Sequence, residues 1–543
     1  MCIDRICLID IFNDYSPIDE AVGLGSISAV LRKNGYKTKL LAYKQSKINY
    51  DEVVDFRPNI IGFSVQPRNV DIVNKVSIKL SELLPGTLMV IGGYLPTNCP
   101  NEILSSMEKI DIAIRGEGEY TFLNLVNAWK QNDELKNIDG ISYKDHGVIC
   151  HNKDRAQIPD LDSLPFPDRD IIIRHKIHVA RVEGARGCTG RCSFCSIHGF
   201  WSNNHSKNCQ VWRTKSIKRF VDELEYLSKE YNISRFHFLD SSYENPYMNS
   251  ERMKQIAKEI LRRKLNITYY INVRADFHKI ATKELLQLLV RSGLNTVFVG
   301  VESFNEADLV LYNKNISVED NIKTIEILKD NLIRTDIGLI NFHPYTTLDN
   351  LRNNAIMLHK YGFSSRLLLR NKLMVFNGCA LFEKIKKDNL LSGVFYEIKD
   401  YKFINKEVEI LNQYIEEYIK NINRMNDDVL IKLDVYEHRH LSLLAHLKHY
   451  FELENDQTAV KIVEEYEANI GAILADLNNK NTSWFIKLLD LSKQGWSNEC
   501  ADDIMNTYMS ANYLKDLFKK FKQNNLLLYI RLTKINKEYA NLL

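Results

Sequence analysis

Hydrophobic residues in the first 150 positions form short continuous runs that alternate with stretches of helical period. A short apolar run predicts a strand buried on both faces, whereas an apolar period near 3.6 predicts an amphipathic helix. The predicted strands are Arg5–Asp10, Lys37–Ala42, Asn59–Val65, Thr87–Ile91 and Asp111–Ile114, and the predicted helices are Val22–Lys33, Val70–Leu83 and one beginning near Glu119. This alternation predicts a doubly wound parallel sheet, whose ligands bind beyond the carboxyl ends of the strands.

The alternation resumes after residues 158–168, a segment rich in proline and aspartate that we interpret as a domain boundary. Further strands are predicted at His178–Val182, Arg235–Leu239, Ile267–Val273, Thr296–Val301, Thr335–Ile340 and Arg366–Leu369. Such a series favours a parallel barrel or partial barrel with its chemistry at the carboxyl ends of the strands.

Beyond about Asn377 the pattern changes to long amphipathic helices, represented by Lys406–Asn421, Ala459–Leu477 and Tyr513–Asn524. We therefore predict an α/β protein with four segments: a Rossmann-like sheet domain at 1–150, a linker at 151–175, a partial (β/α)6 barrel at 176–376 and a helical domain at 377–543.

Charge and composition exclude several classes of function. The 543 residues include 72 basic and 69 acidic side chains, so the net charge of +3 predicts neither a nucleic-acid partner nor a membrane surface. No apolar run approaches the ~20 residues of a spanning helix, and charges near the N-terminus are atypical of a secretory signal. The chain is therefore expected to be cytoplasmic.

Three of the ten cysteines lie within eight residues, at Cys188, Cys192 and Cys195, on a loop that follows a predicted strand. Three thiolates can bind three irons of a [4Fe–4S] cluster and leave the fourth iron open for a ligand. A structural zinc site usually takes four ligands, and no second cysteine pair is present in the sequence. The remaining cysteines are predicted to be buried structural thiols: Cys2, Cys7, Cys99, Cys150, Cys209, Cys379 and Cys500.

The Cys-x3-Cys-x2-Cys spacing, with Phe194 before the last cysteine, resembles the signature of the radical S-adenosylmethionine (SAM) superfamily. The polar ends of the following strands are similar to that family's SAM-contacting motifs. The resemblance implies SAM contacts from Phe194, Asp240, Ser241, Asn272, Arg274, Gly300, Glu302, Ser303 and Ile340. The fifth strand departs from the family because it lacks a second glycine, and two interpretations of His343 are open there: a structural residue or an active-site residue.

Glycine-rich loops after the first strands resemble the cobalamin-binding domain that precedes many radical SAM domains. The implied cobalamin contacts are Gly23, Ser64, Gln66, Arg68, Gly92, Gly93, Thr97, Gly116, Glu117 and Gly118. Phe12 occupies the place where related cobalamin domains supply a histidine to cobalt, so the resemblance implies binding without a protein histidine. Residues 66–68 are then the expected wall beneath the cobalt.

The resemblance implies a [4Fe–4S] cluster, SAM and cobalamin as cofactors, and an external electron donor of the flavodoxin or ferredoxin type. The favoured function is methylation of an unactivated carbon in a peptide or small natural-product intermediate. Three alternatives are open: a non-methylating cyclase or rearrangement enzyme of the same family, a transfer-RNA methylthiotransferase, and a non-enzymatic cobalamin-binding sensor or carrier. The sequence lacks the additional upstream cluster cysteines of the methylthiotransferase family, and a sensor or carrier leaves the barrel motifs unexplained.

Overall fold

The computed structural model describes residues 4–14, 16–202, 210–244, 249–398, 400–425, 433, 444, 447–448, 450–452, 455–537 and 539. The chain divides into two compact units. Unit 1 comprises Met1–Pro246, Val375–Lys387 and Gly393–Asp400, and unit 2 comprises Tyr247–Met374, Asp388–Ser392 and Tyr401–Leu543. Among the described residues, no helix combines the length and the apolar character needed to cross a membrane.

The N-terminal part of unit 1 is a seven-stranded sheet with helices between its strands. Its elements are β1 (Arg5–Phe12), α1 (Val22–Lys33), β2 (Lys37–Lys44), α2 (Tyr50–Phe56), β3 (Ile60–Ser64), α3 (Val70–Leu83), β4 (Leu88–Gly92), α4 (Tyr94–Asn98), α5 (Pro100–Ser106), β5 (Ile112–Ile114), α6 (Gly118–Gln131), β6 (Ile141–Asp145) and β7 (Val148–His151). The strand order is β2-β1-β3-β4-β5-β6-β7. The first five strands are parallel, and the order reverses between β1 and β3, as in doubly wound folds.

Both faces of this sheet are buried, which explains the continuous apolar runs. Along β1, Ile6 and Leu8 pack into one hydrophobic cluster, while Cys7 and Ile9 pack into another on the opposite face. Two features add to the predicted sheet. Strands β6 and β7 extend it in antiparallel fashion, and the proline-rich segment is packed rather than free, since Leu161 and Leu164 are buried against Val30.

The rest of unit 1 contains α7 (Asp170–His175), β8 (Val179–Val182), β9 (Ala185–Gly187), α8 (Ser196–Ser202), β10 (Trp212–Thr214), α9 (Ile217–Tyr231), β11 (Arg235–Phe238) and, after a long excursion of the chain, α16 (Ala380–Lys387). Strands β8 and β11 pair in parallel, as predicted for consecutive barrel strands. Strands β9 and β10 form an antiparallel pair that frames the cysteine loop.

Unit 2 continues the strand–helix alternation with α10 (Glu251–Arg262), β12 (Thr268–Arg274), α11 (Lys283–Arg291), β13 (Leu294–Glu302), α12 (Glu306–Leu311), α13 (Val318–Asp330), β14 (Arg334–Leu339), α14 (Leu348–Tyr361) and α15 (Arg366–Leu369). Strands β12, β13 and β14 are parallel neighbours. Hydroxyl side chains begin several of these helices: Thr282, Ser317 and Thr347 each accept a hydrogen bond from a backbone N–H of the first turn.

The predicted sixth barrel strand, Arg366–Leu369, is wrong, because these residues form the short helix α15. Ser365 begins that helix by accepting a hydrogen bond from the backbone N–H of Leu368. The parallel contact expected of a sixth strand is made a few residues later, where the backbone N–H of Leu373 donates to the carbonyl of Phe342 at 2.7 Å. A four-residue apolar run does not distinguish a strand from a buried helical turn.

The three helices predicted near the C-terminus are present and longer than expected: α17 (Lys406–Met425), α18 (Gln457–Gln494) and α20 (Ala511–Ile535). A further helix that was not predicted, α19 (Asn498–Met509), lies between the last two. Helix α18 packs against the barrel-type helix α14, where Arg352 forms an ion pair with Asp490. Unit 2 therefore joins this helical region to β12–β14 in one compact body, and the segment boundaries at 150, 175 and 376 stay predictions.

The scattered cysteines are only partly buried as predicted. Cys7, Cys99 and Cys379 are buried, Cys150 is half-buried and Cys500 is exposed, so the prediction is wrong for Cys500. Cys2 and Cys209 lie outside the described residues.

Candidate cofactor-binding sites

The three clustered cysteines lie on the loop between β9 and α8, and each is partly exposed and free of disulfides. Within the loop, the backbone N–H of Gly190 donates to the sulfur of Cys188 at 3.3 Å, and the N–H of Cys195 donates to the carbonyl of Cys192 at 3.1 Å. The chain thus returns on itself between the cysteines, with an amide already directed at a sulfur. Amide–sulfur hydrogen bonds are among the features that tune iron–sulfur clusters.

Gly187, which begins this loop, is required by the strand that lies opposite. Its φ is +94°, and a Cβ built there would lie 2.1 Å from the carbonyl oxygen of Val211. Gly187 pairs with Trp212 across the β9–β10 ladder, so the backbones approach closely just before Cys188. Any side chain at this position would displace the strand that carries the first cysteine.

The cysteine loop fits a [4Fe–4S] cluster by its donor set: three accessible thiols and a backbone amide directed at one of them. Among the described residues, no three Cys, His, Asp or Glu side chains converge to hold a single metal ion. A cubane cluster binds each thiolate through a different iron, so its ligands need not converge on one point.

Asp240 follows β11 and is 2% exposed. Its Oδ1 accepts hydrogen bonds from the backbone N–H of Gly184 at 2.6 Å and of Ala185 at 2.9 Å. This carboxylate therefore fixes the chain just before β9 and, through it, the start of the cysteine loop. The predicted contacts of Asp240, of the half-buried Ser241 and of Phe194 with SAM stay predictions. Asn245, five positions after Asp240, lies outside the described residues.

A buried ion-pair network surrounds Arg186, two residues before Cys188. Its guanidinium donates to Glu117 at 2.5 Å, to Glu119 at 2.7 Å and to Glu183 at 2.8 Å. Burial disfavours the charge of Arg186, but the carboxylates around it, Glu119 foremost, raise its pKa well above the ordinary value. Burial likewise opposes the charge of Glu119, yet Arg186 lowers the pKa of Glu119 below its usual range.

This network connects β9 to the loop between β5 and α6, which carries three predicted cobalamin contacts. Glu117 also pairs with Arg213 of β10 at 3.0 Å and accepts a hydrogen bond from the backbone N–H of Ile158. Its carboxylate is thus fully engaged within the protein. Gly118 allows close packing of α6 on α1, since a Cβ there would lie 2.9 Å from Ile27, while Gly116 has a φ of +70°.

The loops after β3 and β4 are tied together by their backbones. The N–H of Val65 donates to the carbonyl of Gly92 at 2.8 Å, and Gly93 has a φ of +114° with its Cβ position 2.9 Å from the carbonyl oxygen of Val65. A Cβ added to Gly92 would make ordinary van der Waals contact with Ile114 at 3.8 Å, whereas Gly93 has no room for one. The two loops therefore approach each other by their backbones at Gly93.

The polar residues predicted to contact cobalamin differ in their surroundings. The hydroxyl of Thr97 donates to the carbonyl of Gly93 and accepts from the N–H of Gly116, so it links two of the glycine loops. The side chains of Ser64 and Gln66 are half-buried. Gly23, in the first turn of α1, is exposed, with no atom within 4 Å of its Cβ position. Their contacts with cobalamin stay predictions.

At the end of β1, the side chains of Asp10 and Phe12 lie beside Arg68. The guanidinium of Arg68 lies over the ring of Phe12, 4.9 Å from its centroid, and 3.9 Å from the carboxylate of Asp10. Asp10 is buried, and this burial raises its pKa to about 6 despite Arg68. Arg68 itself is exposed at this strand end, which is consistent with the predicted wall of residues 66–68.

In unit 2, the end of β13 forms a buried ion pair with an unusual backbone. Glu302 has a φ of +65°, uncommon for a residue with a side chain, and its carboxylate accepts from Lys314 at 2.8 Å. A Cβ at Gly300 would lie 2.7 Å from the Lys314 nitrogen, so glycine makes room for this pair. Arg274, at the end of β12, donates to the carbonyl of Lys314 at 3.0 Å.

Lys314 thus lies beside three predicted SAM-binding residues, Gly300, Glu302 and Arg274. Asn272 is half-buried and lies on the same strand as Arg274. Ile340 is buried and pairs through its N–H with the carbonyl of Glu302. The strained backbone at Glu302 is typical of functional sites. Contact of these residues with SAM stays a prediction.

Ser303 and His343 belong to a buried hydrogen-bond network in unit 2. The Ser303 hydroxyl donates to Asp308 at 2.6 Å, and Nε2 of His343 lies 3.2 Å from the same carboxylate. Nδ1 of His343 accepts from the N–H of Tyr345, so Nε2 carries the proton and donates to Asp308. Both ring nitrogens of His343 are thus hydrogen-bonded within the protein, an arrangement that fits the interpretation of His343 as a structural residue. Ser303 is fully buried in the same network, and its contact with SAM stays a prediction.

Several charged residues of these sites were not predicted from the sequence. Arg186 directly precedes Gly187 and Glu119 directly follows Gly118, so the alternation of charge with glycine was a usable signal. Lys314 is twelve positions from Glu302 and Arg213 lies far from Glu117 in sequence, so only the folded chain brings each pair together.

Comparison with known proteins finds both domain types that the sequence resemblance implied. A sequence model of the radical SAM superfamily matches residues 182–353, and a model of the B12-binding domain matches residues 15–126. Anaerobic magnesium-protoporphyrin IX monomethyl ester cyclase from Synechocystis is 27% identical over 58% of this chain and 62% of its own length. Hopanoid C-3 methylase from Methylococcus capsulatus is 26% identical over 59% of this chain and 61% of its own length.

The solved structure of the cobalamin-dependent SAM radical enzyme OxsB, with aqua-cobalamin and SAM bound, covers 99% of this chain and 81% of its own chain at a TM-score of 0.66 and 17% identity. At that identity the likeness shows the fold. The chain spans about 60% of the length of the two curated relatives.

The protein therefore combines a B12-binding domain with a radical SAM domain in one α/β chain. Residues 182–353 belong to the radical SAM superfamily, and residues 15–126 form a B12-binding domain. The cofactors of these two domains are a [4Fe–4S] cluster, SAM and cobalamin.

Proposed function

We propose that this protein transfers a methyl group to an unactivated carbon of a peptide or small natural-product intermediate. The observation that carries the proposal is the presence of the B12-binding fold and the cysteine loop within one compact unit, linked by the Arg186 network. The similarity to hopanoid C-3 methylase supports methyl transfer.

When bound, the cluster and SAM supply a radical able to abstract hydrogen, and cobalamin supplies a transferable methyl group. The thiolates of Cys188, Cys192 and Cys195 would hold the cluster. Asp240 holds the backbone before these cysteines through two short hydrogen bonds, and Gly187 lets the loop begin against β10. The task of this part of the chain is to keep the loop in one conformation.

The glycine loops after β3, β4 and β5 would hold cobalamin by close backbone approach, with Arg68 and Phe12 at the end of β1 beside them. In unit 2, Arg274 and the Glu302–Lys314 pair present fixed charges for the polar groups of SAM. An external electron donor of the flavodoxin or ferredoxin type would reduce the cluster, and this donor is part of the proposal.

The first experiment needs no substrate. Protein loaded with cobalamin and reduced, then given SAM with a deuterated methyl group, is expected to form trideuteromethyl-cobalamin and S-adenosylhomocysteine. A variant with all three cluster cysteines replaced by alanine should still do so, because this transfer does not need the cluster. Absence of labelled methylcobalamin in protein that binds both ligands would contradict the proposal.

The second experiment adds candidate peptides or small molecules to the fully loaded enzyme. Methyl transfer to carbon should yield S-adenosylhomocysteine and 5′-deoxyadenosine in equal amounts, with the labelled methyl group in the product. The cyclase from Synechocystis favours a non-methylating alternative. Product formed with 5′-deoxyadenosine, but without label or S-adenosylhomocysteine, would establish that alternative.

A further inference from the structure

Residues 377–381, which we call the clamp segment, lie against the cysteine loop within unit 1. The thiol of Cys379 donates a hydrogen bond to the carbonyl oxygen of Cys195 at 3.2 Å. The backbone N–H of Leu381 donates to the carbonyl oxygen of Ser193 at 2.8 Å. Two carbonyls at the end of the cysteine loop are therefore held by a segment 184 positions later in the chain.

The clamp segment is in turn held by the cobalamin-binding fold. Tyr94 begins α4 directly after Gly93, and its hydroxyl donates to the carbonyl of Asn377 at 2.5 Å. The same hydroxyl lies 4.0 Å from the sulfur of Cys379. The clamp segment thus makes hydrogen bonds in two directions, to the loop after β4 and to the last cluster cysteine.

The packing leaves little freedom at this point. Cys379 is 5% exposed, and Gly378 turns the chain with a φ of +82°. A Cβ on Gly199, in the helix after the cysteine loop, would lie 3.4 Å from the carbonyl oxygen of Gly378. A thiol is a weak donor, but this one is buried and placed at the carbonyl of a residue whose own side chain is a predicted cluster ligand.

We propose that Cys379 is a positioning residue for the cluster: it fixes the carbonyl of Cys195, and Tyr94 connects it to the cobalamin-binding loop after β4. Cys379 is then not a cluster ligand. Its hydrogen bond also withdraws negative charge from a carbonyl beside the cluster, which favours the reduced state. The proposal rests on the cluster and does not depend on whether the enzyme methylates its substrate.

The test compares Cys379→Ala, Cys379→Ser and the control Cys7→Ala in anaerobically reconstituted, substrate-free protein. Cys7 is a fully buried cysteine on β1, so its replacement matches the loss of a buried thiol. Cys379→Ala is expected to keep about four irons but to lose them to a chelator roughly two- to tenfold faster, the equivalent of one hydrogen bond. The midpoint potential of its cluster should fall.

Cys379→Ser keeps a hydroxyl donor and should restore both properties toward the wild type, whereas Cys7→Ala should match the wild type. Tyr94→Phe removes only the hydroxyl and is expected to shift iron loss in the same direction by a smaller factor. This variant retains all thiols, so it also tests the proposal if Cys379→Ala does not fold.

Wild-type chelation rates and potential in Cys379→Ala would overturn the proposal. Serine behaving like alanine would also overturn it, because the thiol would then act through its volume alone. Loss of one iron per cluster in Cys379→Ala would show that Cys379 is a ligand, which contradicts the positioning role. These outcomes are measured without turnover and therefore do not depend on the proposed methyl transfer.

Discussion

The carboxyl ends of the strands differ between the N-terminal sheet of unit 1 and the parallel strands of unit 2. After β3, β4 and β5 the chain presents glycines and backbone groups, with Gly93 in a conformation that other residues rarely adopt. At the ends of β12 and β13 it presents Arg274 and Glu302, charged side chains held by Lys314. The first region thus presents mainly backbone groups to a ligand, and the second presents charged side chains in fixed positions.

This difference corresponds to what each region is expected to hold. A large flat cofactor needs a surface on which no Cβ intrudes, and glycine supplies it. A small charged ligand such as SAM needs oriented charges, which are stronger when partly buried. We therefore expect added atoms to impair stability and cofactor binding in the N-terminal sheet, and removed charges to impair stability in unit 2.

The largest effect is expected at the cysteine loop, which depends entirely on side chains. Replacing Cys188, Cys192 and Cys195 together by alanine should abolish cluster binding and the reductive cleavage of SAM to 5′-deoxyadenosine, because no thiolate remains to bind iron. Iron and sulfide analysis after anaerobic reconstitution gives the measurement. The B12-binding fold should still bind cobalamin, and a normal cluster in this variant would refute the assignment of the cysteines.

Removing charge in unit 2 should be costly for stability. Glu302→Gln removes the carboxylate to which the ammonium group of Lys314, itself 5% exposed, donates. Breaking a buried pair in this way should lower the free energy of unfolding by about 3–5 kcal/mol. The matched control is Glu319→Gln, which breaks an exposed i,i+4 pair with Lys323 and should change little. Equal urea-unfolding curves for the two variants would contradict the distinction.

Adding atoms should be costly in the N-terminal sheet. Gly93→Val places a side chain where φ is +114° and the Val65 carbonyl lies 2.9 Å away, so we expect a loss of about 3 kcal/mol and weaker binding of hydroxocobalamin. Gly23→Ala is the control, since its Cβ position has no neighbour within 4 Å and helix α1 gains a better helix former. If the two substitutions have the same effect on unfolding, the backbone interpretation fails.

The smallest effect concerns pH and Asp10. Burial raises the pKa of Asp10 from its ordinary 3.8 to about 6, so the folded state holds the proton more tightly than the unfolded state. The contribution to stability is therefore full below about pH 4 and is lost as the pH rises through about 6. Asp10→Asn should remove this dependence and stabilise the protein at pH 7, by less than the ~3 kcal/mol that corresponds to this pKa shift, because the ion pair with Arg68 is also lost. Unfolding measured at pH 4 and pH 7 tests it; an unchanged pH dependence would disagree.

The strands and helices with strong apolar periods were predictable from the sequence, as β1, α1 and α3 show. Strand β7 was missed because it is a four-residue edge strand with exposed ends, and β6 was missed because polar residues interrupt its five positions. Arg366–Leu369 was misassigned because so short an apolar run carries no period. The cysteine loop was predictable from spacing alone, since its three ligands are neighbours in the chain.

The doubly wound sheet, the thiol triplet and the glycine loops were readable from the sequence because each depends on residues that are close along the chain. The partners of Arg186, the pairing of Glu302 with Lys314, the burial of His343 and the contact of Cys379 with Cys195 became visible only in the folded protein. Apart from the pair of Arg186 with Glu183, these contacts join positions from twelve to 184 residues apart. Local patterns record which face of an element is buried, whereas the distant partner that meets a buried charge or thiol is set by how the elements pack.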